Sequence, residues 1–169
     1  PRARINGLGI DFDGATILDL GCNQGGMLHA LGSQIKWGVG LDYDTRMVNV
    51  ANKIARVNRR NNLSFYAFNL ENESLDIIKD FLPSKQLDYV FLLSVCMWIA
   101  NWKEVILFFS KISDAMIFES NGTPEQQDEQ IDYLREIYAS VEQVTEESHD
   151  DPGQKSRRMY KARRLITEP

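Results

Sequence analysis

The stretch ILDLGCNQGGM, residues 17–27, combines a short apolar run, an acid and three closely spaced glycines. A buried strand that runs through a glycine-rich turn into a helix is typical of α/β nucleotide-binding folds, because glycine accepts positive φ and lets the backbone approach a ligand closely. Asp19 lies directly before this turn. A carboxylate there would repel a phosphate group, so the pattern favours a ligand that carries positive charge.

Apolar strand patterns alternate with helical patterns along the rest of the chain. The predicted strands are residues 15–20, 37–42, 62–69, 87–94, 115–119, 140–147 and 158–166, and the predicted helices are residues 25–35, 45–57, 74–81, 102–112 and 124–138. This alternation predicts a doubly wound, mostly parallel sheet with helices on both faces. An Asp-Pro-Gly turn at 151–153 predicts that the last two strands are antiparallel neighbours.

The composition is that of one globular domain spanning residues 1–169. The chain is 43% hydrophobic and 25% charged, and no apolar run is long enough to span a membrane. Its net charge of −5 argues against a broad nucleic-acid-binding surface. We interpret the basic cluster at 155–164 as a solvated strand face that balances the acidic residues 142–151. Because the chain opens at Pro1, we expect it to be a processed product or a piece of a longer protein.

The cysteines and histidines carry little signal for metal or disulfide chemistry. Cys22 and Cys96 have neither a metal-ligand nor a disulfide-framework spacing, which favours a reducing compartment and predicts a cytoplasmic protein. With two histidines in the chain, we predict no dedicated metal site.

The residues at the carboxyl ends of the predicted strands form a candidate ligand site, because ligands of open α/β sheets bind at that edge. These residues are Asp19, Gly21, Asp42, Tyr43, Asn69, Leu70, Ser94 and Glu119. Asp42 can accept both hydroxyls of a ribose, and Tyr43 offers an aromatic face to a flat base. Asn69 can bond an adenine amino group, and Asp19 would then face an ammonium or sulfonium group.

Four segments, LDLGCNQGG, VGLDYD, FNLE and LDYVFLLS, resemble in order and spacing the motifs of class I S-adenosylmethionine-dependent methyltransferases. The resemblance covers residues 17–164. It implies a seven-stranded sheet of order 3-2-1-4-5-7-6 with the seventh strand antiparallel, S-adenosylmethionine as cofactor and S-adenosylhomocysteine as product. The predicted cofactor residues are Asp19, Gly21, Cys22, Asn23, Gly25, Asp42, Tyr43, Asn69, Leu70 and Ser94.

The sequence departs from that pattern at two positions. The second glycine of the first motif is Asn23, which tolerates left-handed backbone geometry, and the acid of the third motif is Asn69, which still supplies an acceptor. A nicotinamide-dinucleotide fingerprint fits less well, because it requires glycine at position 23 and has no use for Asp19 beside a pyrophosphate.

The methyl acceptor is less well indicated than the cofactor. Glu119 and His149 are candidate general bases, and Met97 and Trp98 are candidate walls of an acceptor pocket. We expect a small molecule, such as a sugar or another metabolite. The run LLSVCMWI resembles a loop of RNA 5′-phosphate-capping methyltransferases, so RNA is one alternative. A non-catalytic S-adenosylmethionine-binding module of a larger protein is the other, and the oligomeric state stays open.

Overall fold

Seven strands form one sheet in a computed structural model of the chain, which describes residues 1–145 and 157–164. The strands are β1 (Thr16–Leu20), β2 (Trp37–Asp42), β3 (Leu63–Ala67), β4 (Leu87–Leu93), β5 (Ser113–Glu119), β6 (Ser140–Thr145) and β7 (Met159–Arg163). Their order is β3-β2-β1-β4-β5-β7-β6. Neighbours from β3 to β5 are parallel, and β7 is antiparallel to both β5 and β6. The predicted strand order and direction are confirmed.

Helices cover both faces of this sheet, as predicted. The α-helices of the described residues are α1 (Arg2–Gly7), α2 (Gly26–Leu31), α3 (Thr45–Val57), α4 (Ile78–Phe81), α5 (Trp102–Ser110) and α6 (Pro124–Ile137). Buried side chains of α1, α2 and α3 join one hydrophobic cluster, and those of α4, α5 and α6 join the other. No helix in the described ranges is both long and apolar enough to cross a membrane.

The central strands are apolar on both sides because each face meets a separate core. In β1, Ile17 packs into the cluster with α2 and α3, whereas Leu18 and Leu20 pack into the cluster with α5 and α6. Successive side chains of a strand point to opposite faces, so a strand covered on both faces reads as a continuous apolar run. The same reason accounts for the run in β4.

Helix boundaries follow local capping chemistry. The Asp44 carboxylate accepts the backbone N–H of Arg46 at 2.8 Å at the start of α3. At the start of α6, Thr123 and Gln126 form the reciprocal hydrogen bonds of a capping box. The predicted helix 25–35 is shorter, because Gly32 has φ +57° and continues as a 3-10 turn. The predicted helix 74–81 is likewise a 3-10 turn followed by α4.

Helix α1 was not predicted from the sequence. Its six residues, RARING, contain one large apolar side chain and therefore show no apolar stripe. Ile5 and the following Leu8 are buried in the cluster with α2 and α3. Long-range burial, which a local pattern cannot show, holds this segment in place.

The interpretation of the basic cluster at 155–164 needs one correction. Arg163 and Arg164 are exposed, whereas Arg157 is only 9% exposed. Arg157 points into the sheet edge described below rather than to solvent. The predicted turn at 151–153 lies outside the described residues.

Candidate functional site

The parallel strands bring the predicted site residues to one edge of the sheet. Register pairs place Asp19 of β1 beside Gly40 of β2 and Phe91 of β4, and Asp42 ends β2. Glu119 ends β5 opposite Leu93 of β4. The carboxyl ends of β2, β1, β4 and β5 are therefore consecutive in space, as expected for a ligand edge.

The glycine-rich loop after β1 requires glycine at two positions. Gly21 has φ +70°, and a Cβ there would lie 2.6 Å from Val95 Cγ2. Gly25 has φ +73°, and a Cβ there would lie 2.4 Å from Cε1 of the Phe65 ring. Asn23 between them has φ +51°, so it holds a left-handed conformation, which asparagine accepts more readily than most residues. The loop is compact because both glycines leave room for neighbouring side chains.

Asp42 fixes this loop against the end of β2. Its Oδ2 accepts the backbone N–H of Asn23 at 2.7 Å, and its Oδ1 accepts the backbone N–H of Asp44 at 2.9 Å. The side chain is only 8% exposed. Since each carboxylate oxygen has two lone pairs, Asp42 retains acceptor capacity for ligand hydroxyls. Asp42 thus holds the glycine-rich loop against the start of the loop after β2.

Asp19 is a buried acid whose protonation is sensitive to its surroundings. The residue is 3% exposed. Burial raises the pKa of Asp19 to about 7, the positive charge of Arg4 lowers it, and the negative charge of Asp42 raises it. A cationic group placed beside Asp19 would therefore stabilise its ionised form.

Cys22 is small and buried rather than reactive. Burial raises the pKa of its thiol, and the charges of Asp19 and Asp42 raise that pKa further. Cys96 is also a buried free thiol, but it packs into the hydrophobic cluster on the opposite face of the sheet from Cys22. The two thiols therefore pack into different hydrophobic clusters, with the sheet between those clusters.

The loops after β2 and β3 carry the predicted base-binding residues. Tyr43 is 77% exposed, and Leu70 is buried. Asn69 Oδ1 accepts the backbone N–H of Glu71 at 3.0 Å, and the Asn69 N–H donates to Glu73 Oε1 at 2.7 Å. The Asn69 oxygen thus already closes a local turn, with one lone pair left for a ligand amino group.

The ends of β4 and β5 are joined by a buried ionic network. Glu119 is 1% exposed and forms ion pairs with Arg4 of α1 and with Arg157. The Ser94 hydroxyl donates a hydrogen bond to Glu119 Oε2 and accepts one from Arg157 Nη1 at 2.8 Å. Ser94 also holds φ +60°, which a non-glycine residue adopts at a cost and which marks functional or over-determined positions.

This network argues against Glu119 as a general base. A buried carboxylate bound to two guanidinium groups and a hydroxyl is committed to charge pairing, and removing those contacts would be costly. His149, the other candidate base, lies outside the described residues. Sequence reasoning missed Arg4 and Arg157 as partners of Glu119, because nothing local relates three residues so far apart in the chain.

Met97 and Trp98 lie in a 3-10 turn directly after β4, at the same edge. Met97 is 39% exposed and Trp98 is 68% exposed. Trp98 therefore does not belong to the buried core. Among residues 1–145 and 157–164, no cluster of three or more His, Cys, Asp or Glu side chains could hold a metal ion.

Comparisons with known proteins agree with this geometry. The sequence of residues 11–160 matches the family described as methyltransferase domain, which is most of the chain. No curated protein sequence matches the chain. Similar solved structures include the N-terminal domain of EvdMO1 with SAH bound, with a TM-score of 0.71 and 13% identity over 96% of this chain and 79% of that chain.

Two further structures share the fold. The bifunctional kinase-methyltransferase WbdD has a TM-score of 0.69 and 22% identity, over 95% of this chain and 39% of that one. This chain therefore spans well under half of the WbdD chain. A precorrin-6y C5,15-methyltransferase from Geobacter metallireducens has a TM-score of 0.66 and 14% identity, over 95% of this chain and 84% of that one.

The chain belongs to the methyltransferase-domain family, and its sheet is that of class I S-adenosylmethionine-dependent methyltransferases. S-adenosylmethionine is the methyl donor of that class. The resemblance found in the sequence is confirmed for family and fold, whereas the individual site residues stay predictions.

Proposed function

We propose that this chain transfers a methyl group from S-adenosylmethionine to a small molecule, such as a sugar or another metabolite. The observation that carries the proposal is the arrangement of Asp19, the glycine-rich loop and Asp42 at adjacent strand ends. This donor set suits a ligand with a cationic centre and a ribose. The absence of a Cβ at Gly21 and Gly25 lets the loop backbone lie close to such a ligand.

Each part of the cofactor has a chemically matched group in the proposal. Asp42 accepts the ribose hydroxyls, and Tyr43 and Leu70 flank the adenine, with Asn69 near its amino group. Asp19 opposes the ammonium of the amino-acid part, which favours the ionised carboxylate. The loop residues Gly21, Cys22, Asn23 and Gly25 line the same part, and Ser94 closes the floor at the end of β4.

Arg4 supplies the positive charge beside Asp19. It pairs with Glu119 at the end of β5 and lowers the pKa of Asp19 at the end of β1. Arg4 is therefore close to acids at the ends of both β1 and β5.

In methyl transfer, the main task of the protein is to position the methyl donor and the acceptor. When bound, S-adenosylmethionine supplies a methyl group already activated by its sulfonium centre. The chain's own residues then have to orient the acceptor in line with that methyl group and exclude water. Met97 and Trp98 are apolar and stand at the correct edge for this role.

The net charge of the chain and two structurally similar proteins guide the choice of acceptors. The net charge of −5 disfavours a polyanionic acceptor such as RNA. EvdMO1 has been crystallised with SAH and D-fucose, and another neighbour is a precorrin methyltransferase. These facts belong to those proteins, and they make a sugar or a ring-shaped metabolite the first acceptors to test here. A cytoplasmic location stays a prediction.

A binding measurement followed by a transfer assay tests the proposal. Calorimetry should show one S-adenosylhomocysteine site per chain. Radiolabelled methyl transfer should then be measured against free sugars, nucleotide sugars, small aromatic alcohols and a short RNA. Transfer to RNA alone would replace the acceptor class, whereas binding without any transfer would favour a non-catalytic module. No binding at all would refute the proposed function.

A further inference from the structure

The loop between β4 and α5 exposes two large apolar side chains on a backbone with many hydrogen bonds. We call Met97 and Trp98 the acceptor platform. Large exposed apolar side chains at a ligand edge mark binding surfaces when they form a patch. The N–H groups on either side of Trp98, at Met97 and Ala100, are both bonded to side chains from other loops. The platform is therefore held by the surrounding structure rather than left as a free lid.

One attachment comes from the loop after β5. The Met97 N–H donates to Asn121 Oδ1 at 3.0 Å. Asn121 is itself clamped by α6, because its N–H donates to Gln130 Oε1 at 3.1 Å and its carbonyl accepts from Gln130 Nε2 at 2.9 Å. Asn121 is 1% exposed and Gln130 is 2% exposed, so neither bond competes with water. These buried hydrogen bonds from α6 through Asn121 hold the backbone at Met97, the first residue of the platform.

The other attachment comes from the loop after β3. Glu71 Oε1 accepts the Ala100 N–H at 2.7 Å. Asn101 Nδ2 donates to the Leu70 carbonyl at 2.7 Å. These two short bonds join the loop that carries the platform to the loop that contains the adenine-flanking residue of the proposed function.

We propose that Glu71 and Asn121 are positioning residues for the methyl acceptor, and that Glu71 links the platform to the adenine side of the cofactor site. A ligand packed against Leu70 reduces the motion of the loop after β3. Because the Glu71 carboxylate of that loop accepts the Ala100 N–H, the backbone beside Trp98 then moves less as well. Cofactor binding thereby further restrains the acceptor platform. This inference rests on the cofactor placement of the proposed function.

Amide hydrogen exchange in the full chain, read at Met97 and Ala100 by NMR, tests the link. In Glu71→Ala without ligand, we expect the Ala100 amide to exchange about 10-fold faster, because it loses its acceptor. Glu71→Gln keeps a carbonyl oxygen at the same position and should exchange like the wild type. Glu73→Ala is the matched control, because Glu73 bonds Asn69 in the same loop but does not touch the platform.

Adding S-adenosylhomocysteine separates positioning from general stability. The ligand should slow exchange at the Met97 and Ala100 amides in the wild type and in Glu71→Gln. In Glu71→Ala that slowing should be lost at Ala100, while the affinity measured by calorimetry changes less than about 3-fold. Asn121→Ala should speed exchange at Met97 about 10-fold and leave Ala100 within 2-fold.

The outcomes distinguish this inference from the proposed function. If the wild type does not bind S-adenosylhomocysteine, the proposed function fails and the link fails with it. If the ligand binds but Ala100 is equally protected in Glu71→Ala and the wild type, the link is overturned and the cofactor placement stands. If Glu71→Ala and Glu73→Ala speed amide exchange at Ala100 equally, the link is also overturned. A general loosening of the loop after β3 would then explain the faster exchange.

Discussion

Replacing Asp19 by asparagine should make the chain more stable at alkaline pH and a poorer cofactor binder. Burial raises the pKa of Asp19 from an ordinary value of 3.8 to about 7 in the folded chain. The folded state therefore keeps a proton that the unfolded state releases between these two values. Stability from this group is complete below pH 3.8 and is lost as the pH rises through about 7.

The size of the effect follows from the same two pKa values. The difference between 3.8 and about 7 corresponds to about 4 kcal/mol, since a tenfold change in a proton-binding constant is about 1.4 kcal/mol. Asparagine has nearly the same shape and does not titrate. The free energy of unfolding of Asp19→Asn minus that of the wild type should therefore grow by about 4 kcal/mol between pH 4 and pH 8.

Urea unfolding at several pH values measures this difference, with the titration of other groups cancelling between variants. Asp13→Asn, the same chemical change at an exposed carboxylate, is the control for the loss of a negative charge. Asp19→Asn should also bind S-adenosylhomocysteine more weakly at pH 8. A constant difference between Asp19→Asn and the wild type from pH 4 to pH 8 would refute the reasoning about its protonation.

Three further substitutions test the site by other means. Asp42→Ala should weaken S-adenosylhomocysteine binding by roughly 2 to 3 kcal/mol in calorimetry, because charge-assisted hydrogen bonds to the ribose are lost. Equal affinities of Asp42→Ala and the wild type would show that Asp42 does not bind the ligand. Asn69→Asp should bind S-adenosylhomocysteine as tightly as the wild type or more tightly. Thermal melts with and without the ligand test this, and a lower melting temperature that the ligand does not raise would contradict it. Gly25→Ala should destabilise the chain by about 1 to 3 kcal/mol in urea unfolding, because its Cβ would overlap the Phe65 ring. Gly14→Ala is its control, with a similar φ of +68° but no atom within 4 Å of the added Cβ, and equal losses in both would show that backbone strain alone is responsible.

The sequence predicted the fold well because the central strands and helices have local causes. The apolar runs of β1 and β4 follow from burial on both faces, and the starts of α3 and α6 follow from capping side chains next in sequence. The left-handed backbone at Asn23 was also expected from its residue type. These features depend on neighbours within a few residues, which a single sequence displays.

The features that sequence reasoning missed depend on contacts between distant segments. Helix α1 depends on burial of Ile5 against other helices, and the position of Cys96 depends on which face its turn packs against. The pairing of Glu119 with Arg4 and Arg157 connects β5 with α1 and with the segment just before β7. No spacing rule connects such residues, so only the three-dimensional structure shows that this acid is already paired.

The Glu119 network also has a consequence for biosynthesis. Arg4 leaves the ribosome before Glu119, whereas Arg157 leaves it after Glu119 and 63 residues after Ser94. Until then Glu119 cannot complete its charge pairing, and β5 lacks the antiparallel neighbour that β7 supplies. The nascent chain should therefore stay open at this edge of the sheet, and a chaperone that recognises unpaired strands would find its target there.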